Sequence, residues 1–282
     1  MRLQVIEAVC QPAGAVNEDR WGARDDGAVW VLDGATGIAA QRVLPGSSDA
    51  LWLVERIDAG LRRHASEDAP PAEVLRPIVR QAMQEFAGAA LRPDAPPADR
   101  PCTSLTLLRL RDGGVELASL GDCRIVHRDA GGATRCFGTS GVTRLDERLV
   151  EEVIRLQAQG VPHDQMWPRV LPMTRRHRAL MNLPEGYWTL DLSERGLDHV
   201  EITRLPAPPL GAPFLLLSDG FYRLVDVYRR YGYDTLLAAA ENSGLVPLLD
   251  ELRQIEADDP ACRAHPRLKP RDDATAVLVR LA

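Results

Sequence analysis

Apolar and polar positions alternate along this chain in blocks that read as short strands and amphipathic helices. Leu3–Val9 is a strand pattern, and Gln11–Asp19 a polar turn after it. The apolar run Val29-Trp30-Val31-Leu32 stops abruptly at Asp33-Gly34. Leu51, Val54, Ile57 and Leu61 then recur at helical spacing. Val74, Leu75, Ile78, Val79, Ala82 and Phe86 form the stripe of a second helix, opened by Pro70-Pro71. A proline-rich stretch from Arg92 to Pro101 reads as a surface loop. Three strands follow, Ser104–Leu110, Val115–Leu120 and Arg124–His127, the first two joined by the turn signal Asp112-Gly113-Gly114.

Leu145–Gln159 predicts a mixed-charge helix. Residues 160–185 carry Arg169, Arg175, Arg176 and Arg178 but are broken by Pro162, Pro168 and Pro172, and show no clear period. Strands are expected at Tyr187–Leu192, His199–Arg204 and Phe214–Leu217. Helices are expected at Tyr222–Tyr231, Asp234–Asn242 and Val246–Ala257, with Ala274–Leu281 as a closing strand. Strands and helical blocks without βαβ alternation predict an α+β layered sandwich, with residues 1–282 as one domain.

Composition narrows the function classes. The 282 residues are 45% hydrophobic and 26% charged, and the net charge is −6. That is a globule's composition, and it lacks the basic excess of a dedicated nucleic-acid binder. No apolar run reaches membrane-spanning length, so a cytoplasmic location is expected. The five cysteines are scattered without a C-x-x-C pair, and the six histidines form no metal-binding frame. A Cys-x5-Arg nucleophile loop is also missing.

The candidate chemistry is acidic and sits at strand ends. Asp33-Gly34, Gly121-Asp122, Asp219-Gly220 and Asp272-Asp273 each adjoin an apolar run, and Asn17-Glu18-Asp19 follows the first strand. One Asp-Gly pair is ordinarily only a turn. So many carboxylates at the rim of a core repel one another and resist desolvation, unless a divalent cation joins them. Oxygen donors without cysteine or histidine suit Mg²⁺ or Mn²⁺.

The order of these motifs resembles the type 2C (PPM) metal-dependent protein serine/threonine phosphatases, over almost the whole chain. NED at Asn17–Asp19, DGATG at Asp33–Gly37, GDCR at Gly121–Arg124, SDG at Ser218–Gly220 and DDATAVLV at Asp272–Val279 carry the likeness. It implies a four-layer α-β-β-α sandwich of two antiparallel sheets flanked by helices, with two Mg²⁺ or Mn²⁺ ions at one end. By motif position Asp33 would bridge the ions, the Gly34 carbonyl would hold one, and Asp219 and Asp272 would ligate the other. Glu18 and Asp19 would position waters or ligate the second ion, and Asp122 would hold a weaker third. The implied reaction is in-line attack by a metal-bridging water on phosphoserine or phosphothreonine, without a phosphoenzyme. Implied partners are a phosphorylated protein and a cognate kinase.

The chain departs from the pattern in three places. Gly14 stands where many bacterial members have a phosphate-gripping arginine, and Ala35 where some have a general-acid histidine. Arg20, Arg42 and the Arg175-Arg176-Arg178 cluster are the candidate replacements, Arg20 and Arg178 being taken as substrate-binding. The third departure is the region of the variable flap, Thr139–Leu205. Within it, Arg178–Trp188 is expected to line the substrate entrance, the alternative being that Tyr187 and Trp188 start a core strand. Competing functions are a phosphatase of a small phosphorylated metabolite and a non-catalytic module that binds phosphorylated partners.

Overall fold

The computed structural model describes residues 1–138, 141–206 and 208–282. Thr139 and Ser140, at the head of the expected flap, lie outside the described residues. Two antiparallel sheets stack face to face. One contains β1 (Leu3–Gln11), β11 (Ala274–Leu281), β10 (Pro213–Leu217), β6 (Arg124–Arg128) and β7 (Thr134–Phe137), in that order. The other runs β2 (Arg20–Arg24), β3 (Ala28–Ala35), β4 (Cys102–Arg111), β5 (Gly114–Leu120) and β9 (Glu201–Leu205), with β8 (Leu190–Asp191) paired to the start of β4.

The period of two in the strands builds the four layers. In β3, Val29 and Val31 join the core between the sheets, while Trp30 and Leu32 pack under α1 (Asp49–His64) and α2 (Pro71–Ala89). In β10, Phe214 and Leu216 face the inter-sheet core. Leu215 and Leu217 face α5 (Asp219–Asp226), α6 (Tyr233–Ser243) and α7 (Leu245–Asp258). Both faces of the central strands are thus covered, which is why they read as unbroken apolar runs. Ser48 caps α1 by accepting the Leu51 amide, and the Asp49 carboxylate accepts those of Val43 and Leu44.

Several expectations need correction. The Tyr222–Tyr231 helix begins three residues earlier, at Asp219, and ends at Asp226. The Tyr187–Leu192 strand shrinks to Leu190–Asp191, and His199 belongs to a short helical turn before β9. The stretch without a readable period contains a helix, α4 (Trp167–Ala179), which packs on α3 (Gly141–Ala158) through Leu149, Val153, Leu156, Met166 and Val170. Since β8 and β9 return to the sheet, the layer outside the sandwich ends before Leu190 rather than at Leu205.

Candidate active site

All four acidic strand ends meet at one end of the sandwich, because antiparallel neighbours alternately finish and start there. Asp33 closes β3 opposite Ser104 on β4, and Asp122 lies in the turn by which β5 crosses to β6. Asp219 follows β10 as the first residue of α5, and Asp272 precedes β11. Asp33, Gly34, Asp122, Asp219 and Asp272 line a single cavity of ≈ 120 Å³, together with Ala35, Ser104 and Lys269.

The glycines of the motifs let the backbones close up. A Cβ on Gly220 would come within 1.9 Å of the Asp273 carbonyl oxygen, and one on Gly34 within 2.7 Å of that of Glu18. The Asp219 amide donates to Asp33 Oδ2 at 3.3 Å, and Ser104 Oγ donates to Asp122 Oδ1 at 2.5 Å. Asp273 sets the depth of the first motif. Its two carboxylate oxygens accept the Ala13 and Glu18 amides, each at 2.6 Å. Asp273→Ala removes two charge-assisted hydrogen bonds of about 1.5–3 kcal/mol each. It is expected to lower the denaturation midpoint and cut turnover roughly tenfold, a result checked by urea melts beside steady-state rates.

The electrostatics are strained. Burial, and then the charges of Asp219, Asp19 and Asp122, push the Asp33 carboxyl well above the usual range. Burial also raises Asp19 strongly, and its Oδ2 is enclosed with no hydrogen-bond partner. Asp219 is pushed up to about 6 by burial and then by Asp272 and Asp122. Asp272 differs. Burial drives it up, but Lys269 and Arg223 outweigh that and hold it low. Lys269 Nζ lies 3.0 Å from Asp272 Oδ1, and an Arg223 Nη2 donates to Oδ2 at 2.5 Å.

An orphaned carboxylate oxygen and three mutually repelling acids, all with oxygen donors, fit hard divalent cations. Among the described residues no three acidic, histidine or cysteine side chains form a ready coordination group. Such a cage is not required by Mg²⁺, which keeps several waters and uses one or two carboxylates.

The remaining sequence candidates separate. Glu18 and Arg20 do not line the cavity. Glu18 Oε1 accepts the hydroxyls of Thr36, at 2.8 Å, and of Ser48, which ties it to the start of α1. Arg20 braces the loop carbonyls of Asn17 and Asp19 and is a weak partner of Glu55 at 3.9 Å. Arg42, Arg175 and Arg176 are exposed, and the space a side chain at Gly14 would enter is open. Arg178 does line the cavity. It donates from one nitrogen to the Ala35 and Arg100 carbonyls, both at 3.0 Å, and its buried Nε has no acceptor. Tyr187 and Thr189 join it in the wall, whereas Trp188 turns away to stack on His199 with ring centroids 3.4 Å apart. The expected entrance segment is therefore half right. Ser104, Thr189 and Lys269 went unnoticed in the sequence, since an isolated Ser, Thr or Lys carries no spacing signal, and Asp273 stood out only as the neighbour of Asp272.

Residues 8–259 match the family model described as protein phosphatase 2C. The chain belongs to the protein phosphatase 2C family. The family's activity, metal-dependent hydrolysis of phosphoserine and phosphothreonine in proteins, follows for this chain. Asp272 and Asp273 lie beyond the matched stretch, so their membership of the site rests on the geometry above. No protein of curated function matches by sequence. Among solved structures, PppA of Pseudomonas aeruginosa, described as a key regulatory component of T6SS, is 18% identical with a TM-score of 0.57, over 99% of this chain and 98% of its own. PstP/Ppp of Mycobacterium tuberculosis is 16% identical, TM-score 0.57, over 100% and 99%. The catalytic domain of PstP in complex with two manganese ions is 17% identical, TM-score 0.55, over 99% of both chains. These likenesses establish the four-layer phosphatase fold. No helix among the described residues is long and apolar enough to cross a membrane.

Proposed function

We propose that this phosphatase domain spans residues 1–282 and that the acidic rim holds two Mg²⁺ or Mn²⁺ ions, through Asp33, the Gly34 carbonyl, Asp219 and Asp272. Asp122, held by Ser104, would bind a weaker third ion. The convergence of Asp33, Asp122, Asp219 and Asp272 on one cavity carries this reading. When bound, the ions would activate water and neutralise phosphoryl charge.

The chain's own residues do the positioning. Asp33 accepts the Asp219 amide, which fixes the two carboxyls relative to each other. Asp19, buried with a free oxygen, and Glu18, oriented by Thr36 and Ser48, would orient waters on the metal ions. Buried Arg223 and exposed Lys269 both pair with Asp272, and with a cation on Asp272 the Lys269 ammonium would be available to the substrate phosphate. Arg178, also in the cavity wall, would take over the role that Gly14 cannot fill. Ala35 offers no proton donor, so aryl esters, whose leaving groups need little protonation, should turn over faster than alkyl ones. The substrate is a phosphorylated protein of a cytoplasmic signalling pair, made by a cognate kinase.

Hydrolysis of p-nitrophenyl phosphate and of a phosphothreonine peptide tests this, with Mn²⁺, Mg²⁺ or EDTA, for wild type and Asp219→Asn. Turnover of both esters is expected with metal, lost in EDTA and in the variant. Turnover of the aryl ester alone would shift the substrate to a small phosphorylated metabolite. Turnover that survives Asp219→Asn would overturn the ligand assignment.

A further inference from the structure

An alkoxide leaves a phosphate slowly unless a proton reaches its oxygen. On the reading above, the carboxylates of the rim hold cations and have no proton to spare, and Ala35 has none to give. The cavity, at ≈ 120 Å³, is small enough that a phosphoester in it touches most of the wall. Two hydroxyls of that wall are committed. Ser104 donates to Asp122 Oδ1 at 2.5 Å, and Thr189 to the Thr103 carbonyl at 2.8 Å. The Cys102 thiol is a weak donor, and the Arg178 guanidinium does not give up a proton. Tyr187 and Lys269 remain. The Lys269 charge suits the phosphoryl oxygens, which every phosphomonoester has alike.

The turn after α4 holds Tyr187 in a fixed place. A Cβ on Gly186 would come within 2.0 Å of the Leu180 carbonyl oxygen, so the turn closes only around glycine. Asn182 turns the chain at φ 56°, its amide donates to the Tyr187 carbonyl at 2.8 Å, and its Oδ1 accepts the Thr189 amide at 2.9 Å. The Tyr187 side chain is buried in a cluster with Cys102, Leu145 and Met181, and Ala35 packs against that cluster. Ala35 is two residues beyond Asp33 on β3, and its carbonyl accepts Arg178. The Arg178 guanidinium in turn lies against the Tyr187 hydroxyl. A guanidinium can only donate, so the phenol oxygen accepts from it and the phenol's own proton is left for another partner. Burial and then Cys102 push Tyr187 above its ordinary range, with Arg178 pulling the other way, so the phenol keeps its proton at neutral pH.

We propose that Tyr187 is the catalytic acid that protonates the leaving-group oxygen of a phosphoserine or phosphothreonine substrate. The proposal rests on the phosphatase reading above and deepens it. The oxygen of a water forms the new bond to phosphorus as the bond to the ester oxygen breaks. The broken bond's electron pair stays on the ester oxygen, which takes the Tyr187 proton and departs as the alcohol. The attacking water gives one proton to solvent and carries the other into the phosphate. The phenolate, stabilised beside Arg178, regains a proton from solvent, so each turnover consumes one water. A phenol held above its usual range is a weak acid, so its help is partial and the preference for aryl esters persists.

The test measures kcat with Mn²⁺ for a phosphothreonine peptide and for a series of substituted phenyl phosphates that includes p-nitrophenyl phosphate. It compares wild type, Tyr187→Phe, which keeps the ring and its packing, and Lys269→Gln. Tyr187→Phe should slow the peptide about a hundredfold while p-nitrophenyl phosphate stays within about twofold of wild type. Across the phenyl series its rate should fall more steeply with leaving-group basicity than that of wild type. Lys269→Gln should slow both esters by a similar factor, since it meets the group they share. Loss on both esters alike in Tyr187→Phe, or on neither, would overturn the proposal, because a structural role does not distinguish leaving groups. A selective loss on the peptide in Lys269→Gln alone would transfer the role to Lys269. Turnover of aryl esters alone by wild type would also overturn the donor, whereas turnover of no ester would overturn the phosphatase reading itself.

Discussion

Asp33→Asn is expected to abolish phosphoester hydrolysis while making the metal-free protein more stable. The two effects share a cause. Asp33 is buried beside Asp219, Asp19 and Asp122, and on the metal reading proposed above their repulsion would be answered by bound cations. If Asp33 holds metal as proposed, removing its charge takes away a ligand, a loss worth several kcal/mol of transition-state stabilisation, or about a thousandfold or more in rate. It also removes one member of a repelling group, so the apo fold gains.

The pH dependence has a definite sign. Asp219 titrates near 6 in the fold against an ordinary 3.8, and Asp33 is shifted the same way. A carboxyl whose folded pKa is raised binds more protons folded than unfolded, so stability falls as pH rises through that interval. Its contribution is intact below about pH 4 and lost by about pH 6–7, on the order of 3 kcal/mol for Asp219. In EDTA the gap in melting temperature between Asp33→Asn and wild type should therefore widen from pH 4.5 to pH 7. Adding Mn²⁺ should raise the wild-type melting temperature and leave the variant's nearly unmoved. A variant that still responds fully to Mn²⁺, or keeps its turnover, would remove Asp33 from the metal centre.

The rim was legible because strand chemistry and site chemistry coincide there. Val29–Leu32 and Phe214–Leu217 are apolar on both faces and must end at a polar residue, so the acids stand out against them. Long buried strands with full covering layers also made the sandwich readable. Helix α4 was not, because prolines at 168 and 172 mimic breaks. Pro168 sits at its first turn, where a missing N–H costs nothing. The edge strands β2 and β7 escaped notice because nearly all their positions are only half-buried and their arginines hide the alternation. The split between Tyr187 and Trp188 has the same origin. Both are large aromatics that pattern alone assigns to a core, and only the fold shows one in the cavity wall and one stacked on His199. Asp273, which the sequence offers only as the neighbour of Asp272, holds the first motif in place.

The other large effect lies at the opposite end of the sandwich, where the sequence offered no signal. Arg109 and Glu116 face each other across β4 and β5 and are almost wholly buried, with Nη2 to Oε1 at 2.5 Å. Arg109 also donates to the carbonyls of Ala65, Glu67 and Ala69, which fastens the end of α1 to the sheet. Arg204 reaches Glu116 Oε2 at 3.1 Å from β9. Burial pulls the Arg109 guanidinium below its usual range and Glu116 pulls it back up. Glu116→Ala leaves that cation enclosed without its counter-charge, a loss of about 3–5 kcal/mol, which corresponds to a fall of about 10 °C in Tm. Arg109→Met/Glu116→Leu should recover part of it, since two apolar residues replace the pair at similar volume. Recovery stays incomplete because three carbonyls lose their donor. In both variants the rate per folded molecule should match wild type, since the acidic rim is untouched. Thermal melts with active-site-normalised rates separate the two quantities. A melting temperature for Glu116→Ala within 2 °C of wild type would show that Arg204 and the carbonyls alone hold Arg109.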